Sequence, residues 1–268
     1  MTETTSAIQS DMPMTRRLEG RTAIITGAAR GIGQAYAQRL AQEGAHIVAA
    51  DVRDCSDTTR LIADAGGGCT PLEVDVTSAR QVDAMARDVV AQHGSIDILI
   101  NNAALMADLV QNTPFEDIDE AEWDRVMNVN AKGAWLCSRA VTPAMKAQGK
   151  GKIINVTSLV VFLGTPFFLH YVASKGAILA ITRALASELG GTGITVNAIA
   201  PGLTFHPGID NMLGDRADEL RDMYVEGQAV KRPEQPQDLV GAAAFLASDD
   251  SDFMSGQTIL VDGGFYYH

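Results

Sequence analysis

Short apolar runs alternate with longer amphipathic stretches along most of this chain. Seven of the short runs are rich in Ile, Val, Leu and Ala with little polar interruption, which is typical of parallel strands covered on both faces. We predict strands at Thr22–Thr26, His46–Asp51, Thr70–Val74, Ile96–Ile100, Lys152–Val156, Thr195–Ile199 and Thr258–Val261. The amphipathic stretches predict intervening helices, including Gly33–Glu43, Ala79–Gln92, Ala121–Ala147, Tyr171–Leu189 and Pro236–Ala247.

This alternation of strand and helix indicates βα units wound around a parallel sheet. We therefore predict an α/β fold, with one doubly wound seven-stranded parallel sheet and helices on both faces. Seven strands in one sheet leave no natural domain boundary, so we expect a single domain over residues 14–268. Residues 1–13 are rich in polar residues without periodicity, which predicts a flexible tail.

Composition and charge narrow the class of protein. The chain is 46% apolar and 20% charged, which is enough apolar material for a buried core. Its net charge of -12 argues against binding to nucleic acid or to an anionic membrane through bulk charge. No apolar run approaches the roughly 18 to 20 residues of a membrane span. The three cysteines and five histidines show no metal-ligand spacing, so we expect a cytoplasmic protein without a metal.

A glycine-rich turn follows the first predicted strand. It reads Thr26-Gly27-Ala28-Ala29-Arg30-Gly31-Ile32-Gly33, and a helix begins there. Free backbone N–H groups and the positive helix dipole favour a pyrophosphate at such a position, and glycines allow the backbone to approach it. The turn therefore predicts a Rossmann-type dinucleotide site that includes Gly27, Arg30, Gly31, Ile32 and Gly33. The alternative is a tight turn that binds nothing.

An acidic residue at the end of the second strand supports the dinucleotide interpretation. Asp51 follows Gly33 by 18 residues, where a carboxylate accepts hydrogen bonds from the adenosine ribose hydroxyls and repels a 2′-phosphate. Asp51 therefore predicts NAD rather than NADP. Arg30 favours the opposite choice, because a base in the turn could reach a 2′-phosphate. We give Asp51 the greater weight because Arg30 can point to solvent.

From about Leu18 to its end the chain resembles the short-chain dehydrogenase/reductase family. The glycine turn has the family spacing, and the further motifs occur in family order. They are Asp75-Val76, Asn101-Asn102-Ala103-Ala104, Asn130, Ser158, Tyr171-Val172-Ala173-Ser174-Lys175 and Pro201-Gly202. Ala104 stands where the family usually has glycine, and His206 stands where it often has threonine.

The resemblance implies roles for these residues. It implies a catalytic set of Asn130, Ser158, Tyr171 and Lys175. The residues that it implies contact the cofactor are Asp75, Val76, Asn102, Tyr171, Lys175, Pro201, Gly202 and Thr204, with Thr204 contacting the carboxamide. Asn130 would hold a water beside Lys175, although Asn128 is a rival for that role. The resemblance also implies a homotetramer.

The chemistry of the Tyr-x-x-x-Lys pair agrees with these roles. Tyr171 and Lys175 are four residues apart near the start of a predicted helix, so both side chains project from one face. An ammonium group and a positive nicotinamide ring would lower the pKa of Tyr171 in the holoenzyme, so that it exchanges a proton with an alcohol or a ketone. His170 next to it is expected to be a rim or core residue.

Apolar segments at the predicted carboxyl edge of the sheet point to a hydrophobic substrate. Residues 203–231 predict a helical lid, with Met212, Met223 and Tyr224 facing the pocket. We therefore predict an NAD-dependent enzyme that interconverts a hydrophobic secondary alcohol and its ketone, with aromatic carbinols among the candidate substrates. The alternatives are a sugar-alcohol or cis-dihydrodiol dehydrogenase and a non-catalytic dinucleotide sensor.

Overall fold

Seven parallel strands form one sheet in the computed structural model of the chain, which describes residues 16–106, 109 and 113–267. The strands are β1 (Thr22–Thr26), β2 (His46–Asp51), β3 (Cys69–Glu73), β4 (Ile98–Asn101), β5 (Gly151–Val156), β6 (Ile194–Pro201) and β7 (Thr258–Val261). Their order across the sheet is β3-β2-β1-β4-β5-β6-β7. The predicted fold class is confirmed, whereas the predicted tail 1–13 lies outside the described residues.

Helices connect the strands. Within the described residues they are α1 (Gly31–Gln42), α2 (Ser56–Asp64), α3 (Ala79–His93), α4 (Glu120–Met127), α5 (Gly133–Gln148), α6 (Val160–Leu163), α7 (Leu169–Glu188), α8 (Pro207–Leu213), α9 (Ala217–Gly227) and α10 (Pro236–Ala247). None of the helices in this part of the chain is long and apolar enough to cross a lipid bilayer.

Two hydrophobic cores cover the two faces of the sheet. On β1 the side chain of Ile25 joins one core, beneath α1 and α10, whereas Ile24 joins the other, against α3 and α5. This alternation follows from the two-residue repeat of a strand. Because both faces of the inner strands are largely buried, those strands are rich in apolar residues, whereas the edge strand β3 is partly exposed and carries polar residues.

Two helical predictions were incomplete. The continuous helix predicted at Ala121–Ala147 is two helices, α4 and α5, joined by a π-helical turn over Asn128–Lys132. The helix α2 was not predicted, because among its nine residues only Thr58 and Ile62 are buried. A nearly polar helix on the protein surface carries little of the 3.6-residue apolar pattern.

The strand order places a crevice at the carboxyl ends of β1 and β4. From β1 the chain proceeds through β2 and β3 on one side, and then crosses to β4 on the other side. The connections after β1 and β4 therefore diverge, and open α/β sheets bind ligands at such a switch point. The glycine-rich turn follows β1, and Asn102 follows β4, so both lie at this crevice.

Candidate active site

One pocket of about 310 Å³ lies at the carboxyl edge of the sheet. The structure brings nearly all predicted site residues to its walls. These are Gly27, Arg30, Gly31, Ile32, Gly33, Asp51, Asp75, Val76, Asn102, Ser158, Tyr171, Lys175, Pro201, Gly202 and Thr204. Of the residues predicted to be catalytic or to contact the cofactor, Asn130 is the one that does not line the pocket.

The glycine turn has the geometry of a phosphate site. Helix α1 begins at Gly31, and the side chain of its N-cap residue Arg30 makes no capping hydrogen bond, which leaves the N-terminal N–H groups of α1 to a ligand. A Cβ at Gly33 would lie 2.1 Å from the carbonyl oxygen of Gly27, so only glycine permits this turn. These features fit the pyrophosphate of a dinucleotide.

Asp51 is held in place at the far end of this pocket. Its carboxylate accepts backbone hydrogen bonds from Ala29 and Arg53, both at 3.0 Å. Arg30 is exposed, and its guanidinium carbon lies 3.6 Å from the position of a Cβ on Gly208, so it extends toward α8. Arg53, a second base that lines the pocket beside Asp51, was not singled out from the sequence.

His206 is a further pocket residue without a predicted role. Its ring lies 3.1 to 3.3 Å from the position of a Cβ on Gly31, and its Nδ1 accepts the N–H of Gly208 at 3.2 Å. Burial, and then the positive charge of Arg30, lower the pKa of His206. With Nδ1 as an acceptor, Nε2 carries the proton of the neutral ring. His206 thus joins the start of α8 to the glycine turn.

Asn102 supports the glycine turn from β4. Its side-chain amide donates to the carbonyl oxygens of Thr26 at 3.0 Å and of Gly27 at 3.1 Å, and its N–H donates to the hydroxyl of Thr26. The predicted contact of Asn102 with the cofactor therefore combines with a structural role. On the adjoining wall, a carboxylate oxygen of Asp75 accepts both the N–H and the hydroxyl of Thr77.

The predicted catalytic pair is deeply buried. Lys175 is 3% exposed, and its Nζ donates to the carbonyl oxygen of Val156 at 2.8 Å and lies 5.7 Å from the centre of the Tyr171 ring. Burial lowers the pKa of Lys175 to about 8. Burial also raises the pKa of Tyr171, and hydrogen bonding with Ser158 partly offsets that rise.

These pKa directions refine the predicted chemistry. The sequence predicted a lowered pKa for Tyr171 in the holoenzyme, whereas in the protein alone burial raises it. The positive charge of a bound nicotinamide ring, added to that of Lys175, would act against this rise. A buried phenol and a buried amine in one pocket are typical of a site for proton transfer.

Asn130 lies behind this pair. It is 2% exposed, and its amide donates to the carbonyl oxygen of Leu105 at 3.1 Å and to the hydroxyl of Ser174 at 3.0 Å, while its oxygen accepts the N–H of Leu105 at 2.7 Å. Asn130 therefore ties the segment after β4 to α7, next to Lys175. Its rival Asn128 is exposed. The water that Asn130 would hold stays a prediction.

His170 does not line the pocket. It is 1% exposed, its Nε2 lies 3.5 Å from a carboxylate oxygen of Glu122, and its ring meets that of Phe168 edge-on. This position matches the expected core or rim histidine rather than a catalytic base.

The remaining end of the pocket, next to Tyr171, is apolar. Leu105, Met106 and Val160 pack against a cluster that contains Tyr171, and Met106 also packs against a second cluster formed by the lid. The buried members of that lid cluster are Phe205, Ile209 and Leu213. This apolar end borders the hydroxyl groups of Ser158 and Tyr171.

The structure places one of the three residues named for the predicted lid at the pocket, and whether the segment acts as a lid stays a prediction. Tyr224 on α9 lines the pocket and stacks on Phe265, with ring centres 4.9 Å apart. Met223 does not line it and is 51% exposed. The side chain of Met212 lies outside the described residues.

A family model described as Enoyl-(Acyl carrier protein) reductase matches residues 27–266. The chain is also 37% identical over 250 residues to the 3-oxoacyl-[acyl-carrier-protein] reductase FabG of Staphylococcus epidermidis, which covers 92% of this chain and 99% of that protein. The chain belongs to the short-chain dehydrogenase/reductase family. It is an oxidoreductase of this family that uses a nicotinamide dinucleotide.

Solved structures agree with this assignment. The fold is similar to that of a gluconate 5-dehydrogenase from Burkholderia cenocepacia in complex with NADP and tartrate, with a TM-score of 0.85, 37% identity and coverage of 94% and 97% of the two chains. Levodione Reductase gives a TM-score of 0.87 at 29% identity, with coverage of 92% and 98%. These relatives differ in the substrates that they are named for, so family membership does not identify the substrate of this chain. The evidence for the substrate must come from the residues that line its pocket.

Proposed function

We propose that this enzyme interconverts a hydrophobic secondary alcohol and its ketone, with NAD as the cofactor. The observation that carries the proposal is the apolar end of the pocket, which borders Ser158 and Tyr171. A substrate whose carbinol carbon reaches these hydroxyl groups places its other substituents among Leu, Met and Val side chains.

The chain supplies positioning and proton transfer. When bound, the nicotinamide ring supplies or accepts the hydride. Ser158 holds the substrate oxygen by a hydrogen bond, and Tyr171 takes the proton from an alcohol or returns it to a ketone. Lys175, with a pKa lowered to about 8, carries positive charge at neutral pH and favours the ionised form of Tyr171.

The preference for NAD rests on Asp51. Its carboxylate is fixed by two backbone N–H groups and faces the pocket, while Arg30 extends toward α8. A fixed negative charge beside the adenosine ribose disfavours a 2′-phosphate. The related gluconate 5-dehydrogenase is in complex with NADP, so a protein of this fold can bind the other cofactor. A measured preference between NAD and NADP can therefore contradict the proposal.

Replacing Asp51 with Asn should erode the preference for NAD, because the amide keeps a similar shape but lacks the charge that repels a 2′-phosphate. The measurement is kcat/KM with NAD and with NADP for the wild type and the variant. The ratio of the NAD value to the NADP value should fall in the variant, and each tenfold fall corresponds to about 1.4 kcal/mol of lost preference for NAD. Arg53→Ala is the matched control, and it should strengthen the NAD preference or leave it unchanged. A wild-type enzyme that is more efficient with NADP would refute the assignment.

The charge of the pocket favours an uncharged substrate. Among the described residues that line the pocket, the cations are Lys175, Arg53 beside Asp51, and Arg30, whose guanidinium extends toward α8. The sequence from 107 to 112 contains no Lys or Arg. A sugar acid needs a cation for its carboxylate, and burial of an unpaired carboxylate is costly. The relatives named for gluconate nevertheless make a keto sugar acid the second candidate substrate.

A panel of substrates separates these candidates. We expect an aryl or alicyclic ketone to be reduced with a higher kcat/KM than a keto sugar acid, with a simple 3-oxoacyl thioester as the third test compound. Tyr224→Ser should raise KM for the bulky apolar ketone, because it removes a wall of the pocket, whereas Met223→Ser should not, because that side chain is exposed. Preferential turnover of the keto sugar acid would reject the hydrophobic alcohol.

The homotetramer and the cytoplasmic location remain proposals. Membership of the family supports the first. The cysteine pattern supports the second: Cys55 and Cys137 are buried and unbridged, and burial raises the pKa of each thiol to about 12. Buried thiols of this kind suit a reducing compartment.

A further inference from the structure

Glu234 is a buried carboxyl group directly behind the wall of the pocket. It is 6% exposed, and its Oε1 accepts the hydroxyl hydrogen of Thr204 at 2.6 Å. Its other oxygen, Oε2, has no hydrogen-bond partner of good geometry among the described residues. The N–H of Gly202, which donates to the carbonyl oxygen of Val261, lies beside this carboxylate and favours its ionised form. Thr204, 4% exposed, lines the pocket on the other side of this bond. A buried carboxylate oxygen without a well-aligned donor raises the free energy of the folded state. This cost favours a functional role for Glu234.

Within the part of the chain that the structure describes, no cation forms an ion pair with Glu234, and Arg232 acts on it only from a distance. The ionisable groups that face it come from the loop before α10 and from four other elements. They are Tyr36 on α1, Tyr224 on α9, Arg232 in that loop, Asp238 on α10 and Asp262 after β7. Arg232 is exposed and forms two hydrogen bonds with the carboxylate of Asp238, at 2.6 and 2.7 Å. Burial, with smaller effects of Asp238 and Asp262, raises the pKa of Glu234 to about 7.

Glu234 lies toward the catalytic end of the pocket. Asp51 follows β2, whereas Ser158 follows β5 and Thr204 follows β6, which is the neighbour of β5. The N–H of Leu159 donates to the carbonyl oxygen of Pro201 at 2.9 Å, which joins these two connections directly. A dinucleotide with its ribose at Asp51 therefore crosses the sheet toward the side of Thr204. Its nicotinamide end is the part that comes near Glu234.

We propose that Glu234 is a positioning residue that acts through Thr204 and, when ionised, favours the oxidised over the reduced cofactor. The inference rests on the proposed function, because it requires a nicotinamide at this end of the pocket. The oxidised ring carries a positive charge and the reduced ring carries none. A buried carboxylate without an ion-pair partner is stabilised electrostatically by the positive oxidised ring. The neutral reduced ring gives it no such stabilisation.

The test compares cofactor binding across the titration of Glu234. Dissociation constants of NAD⁺ and NADH are measured by calorimetry between pH 6 and 8.5 for the wild type and for Glu234→Gln. We expect the wild type to shift its preference toward NAD⁺ as the pH rises, by up to about tenfold for each unit by which the cation lowers the pKa of Glu234. The Gln variant keeps the acceptor for Thr204 but cannot ionise, so this part of the pH dependence should disappear.

Matched variants separate Glu234 from the other titrating groups. Lys175 and His206 are present in both proteins, so their contribution is removed when the two pH profiles are subtracted. Glu226→Gln removes the same charge from an exposed position on α9 and should retain the wild-type profile. Thr204→Val removes the hydroxyl that favours the ionised form, and should move the profile to higher pH.

The stability of the apo protein gives an independent readout. A carboxyl group with a raised pKa destabilises the folded state as the pH rises from 4.5, its ordinary value, to about 7. Glu234→Gln should therefore raise the melting temperature more at pH 8 than at pH 5. An equal effect at both values would contradict the titration of Glu234.

Each binding outcome has a distinct meaning. A wild-type preference between NAD⁺ and NADH that does not change with pH, or a Gln variant with the wild-type profile, would overturn the role of Glu234 alone. Failure of both NAD and NADP to bind would overturn the proposed function and this inference with it. If NADP binds more tightly, the same comparison with NADP⁺ and NADPH tests Glu234 without reference to Asp51.

Discussion

Replacing Tyr171 with Phe should lower kcat by about 10²- to 10⁴-fold, which is the contribution of a well-placed general acid or base. The ring of Tyr171 stacks on Phe168 with centres 4.7 Å apart, and Phe retains this packing. NADH should therefore still bind, and the fold should persist. The variant loses only the group that exchanges a proton with the substrate oxygen. Steady-state kinetics together with NADH fluorescence titration measure the two quantities separately.

The direction of the reaction should depend on pH through the same phenol. Alcohol oxidation requires the ionised form of Tyr171, and burial raises the pKa of that group. Oxidation should therefore accelerate as the pH rises, and ketone reduction should be favoured at lower pH. Tyr267→Phe, at a residue 77% exposed, is the matched control and should leave both profiles unchanged. A Tyr171→Phe enzyme with near-native turnover would reject this mechanism.

The sheet was predictable because most of its strands are recognisable in the sequence as short apolar runs. The inner strands are largely buried on both faces, so their apolar runs appear in the sequence without knowledge of their neighbours. The edge strands β3 and β7 are only partly buried. Every strand boundary was predicted within two residues, and those of β1, β2 and β7 were exact. The prediction for β6 was too short, because Pro201 belongs to the strand although proline usually ends one.

The break between α4 and α5 could not be predicted from the periodic pattern of apolar residues. The π-helical turn at Asn128–Lys132 adds one residue to a turn, which a pattern of 3.6-residue spacing does not reveal. Its physical basis is tertiary, because Asn130 bonds to Leu105 and to Ser174 on other elements. Such insertions occur frequently at functional sites, and this one lies beside Lys175.

The same distinction applies to the site. Residues such as Tyr171 and Lys175 are close in the chain, and their spacing alone places them on one face of α7. Glu234 and Thr204 are 30 residues apart and meet only through an isolated bridge between two loops. Likewise, the contact of His206 with Gly31 depends on how the lid folds back over the turn. Nothing in the local sequence around these residues indicates their partners.

Gly33→Ala should destabilise the protein by about 1 to 3 kcal/mol and abolish cofactor binding, because the added methyl group must displace backbone. Its Cβ would lie 2.1 Å from the carbonyl oxygen of Gly27 and 2.6 Å from the amide nitrogen of Asn102. Relief of this contact requires the glycine turn to open. Opening would also break the hydrogen bonds by which Asn102 holds the turn against β4. Urea unfolding and NADH titration measure the two effects.

The matched control is Gly241→Ala on α10. Gly241 is exposed in a helix and has no atom within 4 Å of its Cβ position, so alanine there should stabilise the protein by about 0.5 to 1 kcal/mol through helix propensity. Gly33 also lies within a helix, so propensity alone predicts the same sign for both substitutions. Opposite signs would show that close contact with the Gly27 carbonyl outweighs propensity at Gly33. If Gly33→Ala instead stabilised the protein and kept NADH affinity, the turn would not need glycine at this position.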